Sequence, residues 1–180
     1  MKRALVVAHP DDETLWFGGL LIAEPGRWHV FCASTPRADP VRAQRFHVAC
    51  DHIGAIYSEI SGIVESDPSG PLDQLNVRLP DLTDYDQIVT HNAAGEYGHR
   101  HHVSIHDYLV ARYPSQVVTG CYGMPAGAKR IELTAEQYDR KVQALRCYDH
   151  VSPSDGKPKW QALIERYGSR FDLTVETYVG

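Results

Sequence analysis

The chain has 180 residues, 43% of them hydrophobic and 23% charged, an ordinary globular composition with enough length for one sizeable core. Its formal net charge is -5 and its lysines and arginines are scattered, so it offers no basic stripe and no nucleic acid partner is expected. The four cysteines, Cys32, Cys50, Cys121 and Cys147, stand singly, without the paired spacing of a zinc knuckle or redox motif, and read as free thiols in a reducing cytoplasm.

In chain order, Met1-Lys2-Arg3 precedes an apolar run of only Ala4 to Ala8. That is too short for a secretion signal or a membrane span, so a soluble, unprocessed, cytoplasmic protein is expected. The run has the continuous apolar character of a strand buried on both faces. Pro10 suits a first helical position, and Asp11, Asp12 and Glu13 suit the positive end of a helix dipole, which predicts a helix from Asp11 to Ala23. A strand over Trp28–Ala33, a helix over Val41–Ile53 closed by Gly54, and a strand over Ile56–Ile60 are expected next. Ser61–Leu82, which carries Asp67-Pro68-Ser69-Gly70-Pro71, reads as a long surface loop. A strand Gln87–Thr90 then ends at His91, and a glycine-containing loop leads to a helix over His101–Arg112. A strand Gln116–Tyr122, an amphipathic helix Ala135–Tyr148, a short helix Trp160–Tyr167 and a strand Phe171–Tyr178 complete the chain. The alternation predicts an α/β, Rossmann-like fold, a single domain with a mostly parallel sheet flanked by helices. No G-x-G-x-x-G follows the first strand, so a dinucleotide site is not expected.

In an open parallel sheet, ligands bind beyond the carboxyl ends of the strands, and two predicted strands end in polar residues. The first end is His9-Pro10-Asp11-Asp12-Glu13. His9 leaves the strand as Asp12 enters the first helical turn, so an imidazole and a carboxylate converge on one ion, and both are good zinc ligands. Asp11, between them, faces the same crevice without ligating, where a general base for water belongs. Acids alone would read as helix-dipole partners; a His-Pro pair directly before them shifts the reading to a metal site. The second end runs from Thr90 through His91, His99, His101 and His102 to His106. It supplies a third ligand for the open arrangement of catalytic zinc sites. His102 and His106, at i, i+4, form an alternative metal pair, and taken alone the cluster reads equally as a solvated polar loop.

Together the two motifs resemble the LmbE/PIG-L family of zinc-dependent de-N-acetylases. Its members share a Rossmann-like fold and carry a strand-terminal H-P-D-D-E and, later, an H-x-x-H at a helix start. The counterparts are His9 to Glu13 and His99-Arg100-His101-His102, the latter in a Tyr97-Gly98-His99 context. The similarity extends through Arg42-Ala43-Gln44-Arg45-Phe46 to Gly54-Ala55 and through Lys141-Val142-Gln143-Ala144-Leu145 to Tyr148. The resemblance implies His9, Asp12 and His102 as ligands of Zn2+ and Asp11 as general base. It implies His99 as an acid or as electrostatic stabiliser of the tetrahedral intermediate, with Tyr97 helping to polarise the amide carbonyl. Arg42 resembles an arginine that binds a substrate hydroxyl or phosphate, a structural arginine being the alternative. His91, at its strand end, is a candidate for substrate contact. Many members have Asp where this chain has His101, so a neutral or cationic neighbour replaces the carboxylate that tunes the assisting histidine.

The substrate class the resemblance implies is an N-acetylated sugar of the N-acetylglucosamine type, or a conjugate of one. The alternatives are a metal-dependent amidohydrolase or esterase for a small non-sugar N-acyl compound, and a metal-binding module without activity. Asp11 speaks against the latter, since a purely structural site needs no base. His29, His47, His52 and His150 read as ordinary surface or boundary histidines, and Trp16 and Phe17 as core.

Overall fold

The apolar run after Lys2 becomes β1 (Arg3–Val7), an interior strand of the computed structural model, which describes residues 1–35, 39–64, 70–121, 126–149, 157–167 and 173–180. Side chains alternate across a pleated strand. Leu5 and Val7 therefore enter one core with Val30, Cys32 and Phe46, while Ala4, Val6 and Ala8 enter a second core with Phe31, Ile88, Ile105 and Leu109. Burial on both faces is why the run is continuously apolar.

The other strands are β2 (Trp28–Thr35), β3 (Tyr57–Val64), β4 (Gln87–Thr90), β5 (Val117–Cys121), β6 (Lys129–Glu132) and β7 (Val175–Val179). They form one sheet in the order β3-β2-β1-β4-β5-β7-β6. β1 to β5 pair in parallel, and β7 runs antiparallel to both β5 and β6. The chain winds outward from β1 to β2 and β3, then crosses to β4 and β5 on the other side. The carboxyl ends of β1 and β4 thus flank the point where the winding reverses, the place where such sheets bind ligands. His9 and His91 follow those two ends.

The helices are α1 (Asp12–Leu15), α2 (Gly18–Ala23), α3 (Pro40–Ile53), α4 (Leu75–Arg78), α5 (Gly95–Gly98), α6 (Arg100–Arg112), α7 (Ala135–Arg146) and α8 (Lys159–Tyr167). Gly54 ends α3 with φ 87°, as its position predicts. Among the described residues, no helix is long and apolar enough to cross a membrane.

The helix expected over Asp11–Ala23 is two helices. The Glu176 carboxylate, brought in by β7, accepts the N–H groups of Gly19 at 2.6 Å and Leu20 at 2.8 Å, so a new helix start is built there. Gly19 permits this approach, because a Cβ would stand 2.8 Å from Glu176 Oε1. Lys141 Nζ donates to the same oxygen at 2.6 Å, and the Tyr178 hydroxyl donates to the other. Glu176 and Lys141 are both buried, so removing one strands the charge of the other. Lys141→Met is expected to lower the unfolding free energy by about 3–5 kcal/mol, read from the urea midpoint; an unchanged midpoint would contradict this.

The expected surface loop Ser61–Leu82 also differs. β3 continues to Val64, α4 forms within it, and Leu72, Leu75, Leu79 and Leu82 are buried in the second core. Their spacing made an apolar helix-and-turn ribbon that the proline and glycine signals hid. β6 was not expected, since only Ile131 of its four residues is buried. Asp67-Pro68-Ser69, the Tyr122 end of the fifth predicted strand, His150, and the Phe171 start of the last strand lie outside the described residues.

Candidate metal centre

The turn after β1 is held by groups from three other parts of the chain. Asp11 has φ 119° and ψ −27°, a backbone region that favours glycine. Its N–H donates to Glu13 Oε2 at 2.9 Å, and Glu13 Oε1 receives hydroxyl protons from Thr14 at 2.7 Å and Tyr148 at 2.8 Å. Burial pushes the Glu13 carboxyl up to about 7 against those hydrogen bonds. Arg42 Nε donates to the Pro10 carbonyl at 2.6 Å, and its Nη2 stands 2.6 Å from Asp11 Oδ2. Burial works against the Arg42 charge, but Asp11 outweighs it and holds the guanidinium above its ordinary value. Strain of this kind persists only where the surroundings over-determine it, typically at functional sites.

One residue on, the two oxygens of Asp12 do different things. Oδ1 accepts the Trp16 indole N–H at 3.1 Å. Oδ2 accepts the His9 backbone N–H at 2.9 Å and faces His9 Nδ1 at 3.1 Å and His102 Nε2 at 3.2 Å. His9 Nε2 in turn meets His101 Nδ1 at 2.9 Å. Burial holds the His9 imidazole well below its ordinary pKa, despite Asp12, so the ring is neutral and has a lone pair to give. Burial would raise Asp12, but His102 and His9 overcome it and keep the carboxylate ionised.

α5 is a distorted turn that carries Glu96 at φ 56°. Glu96 Oε2 meets His91 Nδ1 at 2.9 Å and His102 Nδ1 at 2.5 Å, and Oε1 accepts the Asn92 N–H at 3.1 Å. Burial would raise this carboxyl too, but His91 and His102 pull it down to about 2. His91 Nε2 accepts the Ala8 N–H at 3.0 Å. Burial lowers His102, but Asp12 and Glu96 outweigh it and hold the metal-free imidazole up at about 10.

His99 caps α6, its Nδ1 accepting the His101 N–H at 3.3 Å. Its ring stacks on His102, with centroids 4.7 Å apart, and meets His9 edge-on at 4.6 Å. Tyr97 packs between Trp16 and His102, at 6.0 and 5.6 Å. Burial and then the acids Asp12, Asp11 and Glu96 push its phenol above the ordinary value, so it stays a proton donor.

These residues fit a zinc-like ion. His102 Nε2 is buried and makes no hydrogen bond of acceptable geometry. The donor set beside it is a carboxylate and a neutral imidazole. The separations of 3.1 and 3.2 Å match the roughly 3.3–3.4 Å between donors at about 2.0–2.1 Å from a tetrahedral ion. Two groups of donors lie within 4.8 Å of one another, His9 with His99 and His102, and Asp12 with His91 and His102. The expected trio His9, Asp12 and His102 is not itself one of these two groups; it is linked through Asp12 Oδ2, 3.1 Å from His9 Nδ1 and 3.2 Å from His102 Nε2.

The structure thus brings Asp11, Asp12, His9, His91, His99, His102, Tyr97 and Arg42 into one cluster. His106, the other member of the i, i+4 pair, lies apart and bonds the His91 carbonyl through Nδ1 at 3.0 Å. Three participants were missed. In the sequence Glu96 is one acid in a glycine-containing loop, Glu13 reads as a dipole partner, and Trp16 reads as core. The signal for Glu96 was chemical, because a metal-binding histidine usually gives its second N–H to a carboxylate or carbonyl.

This sheet order is shared with a set of solved α/β proteins that align with nearly the whole chain. An N,N'-diacetylchitobiose deacetylase from Pyrococcus horikoshii superposes with TM-score 0.63 at 15% identity, over 98% of this chain and 83% of that one. A deacetylase of the teicoplanin biosynthetic pathway superposes with TM-score 0.62 at 16% identity, over 99% and 98%. GalB, the 4-carboxy-2-hydroxymuconate hydratase from Pseudomonas putida KT2440, superposes with TM-score 0.54 at 15% identity, over 99% and 95%. At such identities the shared property is the fold, and the hydratase shows that this fold hosts more than one reaction. No family model matches the chain. By sequence, it is 29% identical over 143 residues to uncharacterized protein L374 of Acanthamoeba polyphaga mimivirus, covering 67% of this chain and 61% of that protein's length.

Proposed function

We propose that the chain is a metal-dependent de-N-acetylase of the LmbE/PIG-L type, working with zinc on an N-acetylglucosamine-type sugar or sugar conjugate. The observation that carries this reading is the unsatisfied, buried Nε2 of His102 facing Asp12 beside the ends of β1 and β4. Of the donor groups in the crevice, His9, Asp12 and His102 are the best holders of the ion. His91 spends its Nε2 lone pair on the Ala8 N–H, which disfavours it as a ligand. The two aligned deacetylases, one named for chitobiose and one for teicoplanin, support a sugar-bearing substrate. A single cytoplasmic domain belongs to the same reading, supported by one sheet and four free thiols.

Bound there, zinc supplies a Lewis acid for the amide carbonyl and lowers the pKa of water. Asp11, pinned by Arg42, takes the proton from the attacking water. His99 and the protonated Tyr97 are placed to stabilise the oxyanion, and a proton returns to the departing amine from the pair Asp11 and His99. Arg42 and His91, expected to touch substrate, are better suited in this reading to positioning other groups. Arg42 Nε donates to the Pro10 carbonyl and its Nη2 pairs with Asp11 at 2.6 Å, and both nitrogens of the fully buried His91 are engaged by Ala8 and Glu96.

The substrate class is tested by incubating zinc-loaded protein with matched panels of N-acetylated sugars and non-sugar N-acyl compounds and measuring acetate and free amine. Release from the sugars is expected; release only from the non-sugar panel would assign the alternative amidohydrolase reading. His99→Ala is expected to keep its metal and slow turnover about a hundred- to a thousandfold, because its contribution is made mainly in the transition state. A variant as fast as wild type would remove His99 from the chemistry.

A further inference from the structure

We infer that Glu96 is a positioning residue that locks His102 in the tautomer an ion requires, and that His91 in turn fixes Glu96; this rests on the metal-centre reading above. The chain of reasoning starts at a backbone group whose proton cannot move. The Ala8 N–H is an obligatory donor, and its acceptor is His91 Nε2 at 3.0 Å. A nitrogen that accepts carries no proton, so in neutral His91 the proton sits on Nδ1. Nδ1 meets Glu96 Oε2 at 2.9 Å, so His91 donates to the carboxylate.

The same oxygen meets His102 Nδ1 at 2.5 Å. A carboxylate accepts only, so His102 must also present a proton on Nδ1. In the neutral ring that holds an ion, the lone pair is then left on Nε2, the buried atom that faces Asp12 and lacks a hydrogen bond. A second histidine at the end of β4 therefore sets the tautomer of the one at the start of α6, through one carboxylate.

The backbone is arranged for this. Glu96 is held at φ 56° and ψ −68°, and Gly95 before it lies so close to α6 that a Cβ would stand 2.9 Å from Val103 Cγ2. The Asn92 N–H takes Oε1 at 3.1 Å, which leaves Oε2 to the two imidazoles. Glutamine cannot replace this group: with one oxygen and one NH2, it must point donors either at Asn92 or at both rings.

Nitrogen-15 NMR of the histidine rings in zinc-loaded wild-type protein tests the lock directly. His91 and His102 are both expected to carry their proton on Nδ1, with the ion at Nε2 of His102. An Nε2 proton on His91, or zinc at Nδ1 of His102, would overturn the inference. Glu96→Gln is expected to bind zinc about 10- to 100-fold more weakly in competition with a chromophoric chelator. Its cobalt-loaded form should show an altered visible spectrum, a change that mere loosening of the loop would not cause. Unchanged zinc affinity and cobalt spectrum, in a wild type that binds zinc and releases acetate, would overturn this inference alone. A wild type that takes up no zinc would overturn it together with the metal-centre reading.

Discussion

Asp11→Asn is expected to slow deacetylation about a hundred- to ten-thousandfold while the ion stays bound. Asparagine keeps the shape of the side chain and an oxygen for Arg42, but cannot accept a proton. The metal should remain because Asp11 Oδ2 is turned to Arg42 Nη2 at 2.6 Å, while the neighbouring Asp12 faces His9 and His102. The rate should fall across the whole pH range, and added zinc should not restore it. Metal content and acetate release measured on one sample decide the matter. Loss of the ion, with rescue by excess zinc, would make Asp11 a ligand and require the roles in His9-Pro10-Asp11-Asp12-Glu13 to be redrawn.

His102→Ala is expected to lose both metal and turnover. The substitution removes the unsatisfied Nε2 and leaves Glu96 and Asp12, both buried carboxylates, without the imidazole that lies between them. His9→Ala and Asp12→Ala should act in the same direction, whereas His106→Ala should keep its ion, since His106 Nδ1 is bonded to the His91 carbonyl. Elemental analysis after dialysis reads this out. Normal metal in the His102 variant together with loss in the His106 variant would move the third ligand one helical turn along α6.

Much of the site was legible because its residues announce themselves locally. His-Pro before three acids, at the end of an apolar run, fixes both a strand end and a helix start, and the histidine-rich stretch begins where β4 stops. The mostly parallel sheet follows from the same alternation of elements, whereas the strand order and the antiparallel β7 do not. The parts that were not legible depend on partners far along the chain. Nothing near Trp16 and Phe17 shows that Glu176 will reach the N–H groups of Gly19 and Leu20 and split the helix. Arg42 reads equally as a substrate-binding or a structural residue until its 2.6 Å approach to Asp11, 31 positions earlier in the chain, is seen. Glu96 looked like one acid in a loop, because its meaning lies in two histidines that converge on it only once β4 and α6 are placed.

Metal-dependent acetate release tests the central claim most directly. Wild-type protein is stripped with a chelator, divided, and one half reloaded with zinc; both are incubated with N-acetylated sugars and with an unsaturated carboxylic acid, and products are read by mass spectrometry. The account predicts free amine and acetate from the reloaded half alone, in equal amounts, with the unsaturated acid unchanged. Addition of water to the unsaturated acid with no acetate released would contradict it and place the chain with the hydratase that shares its fold.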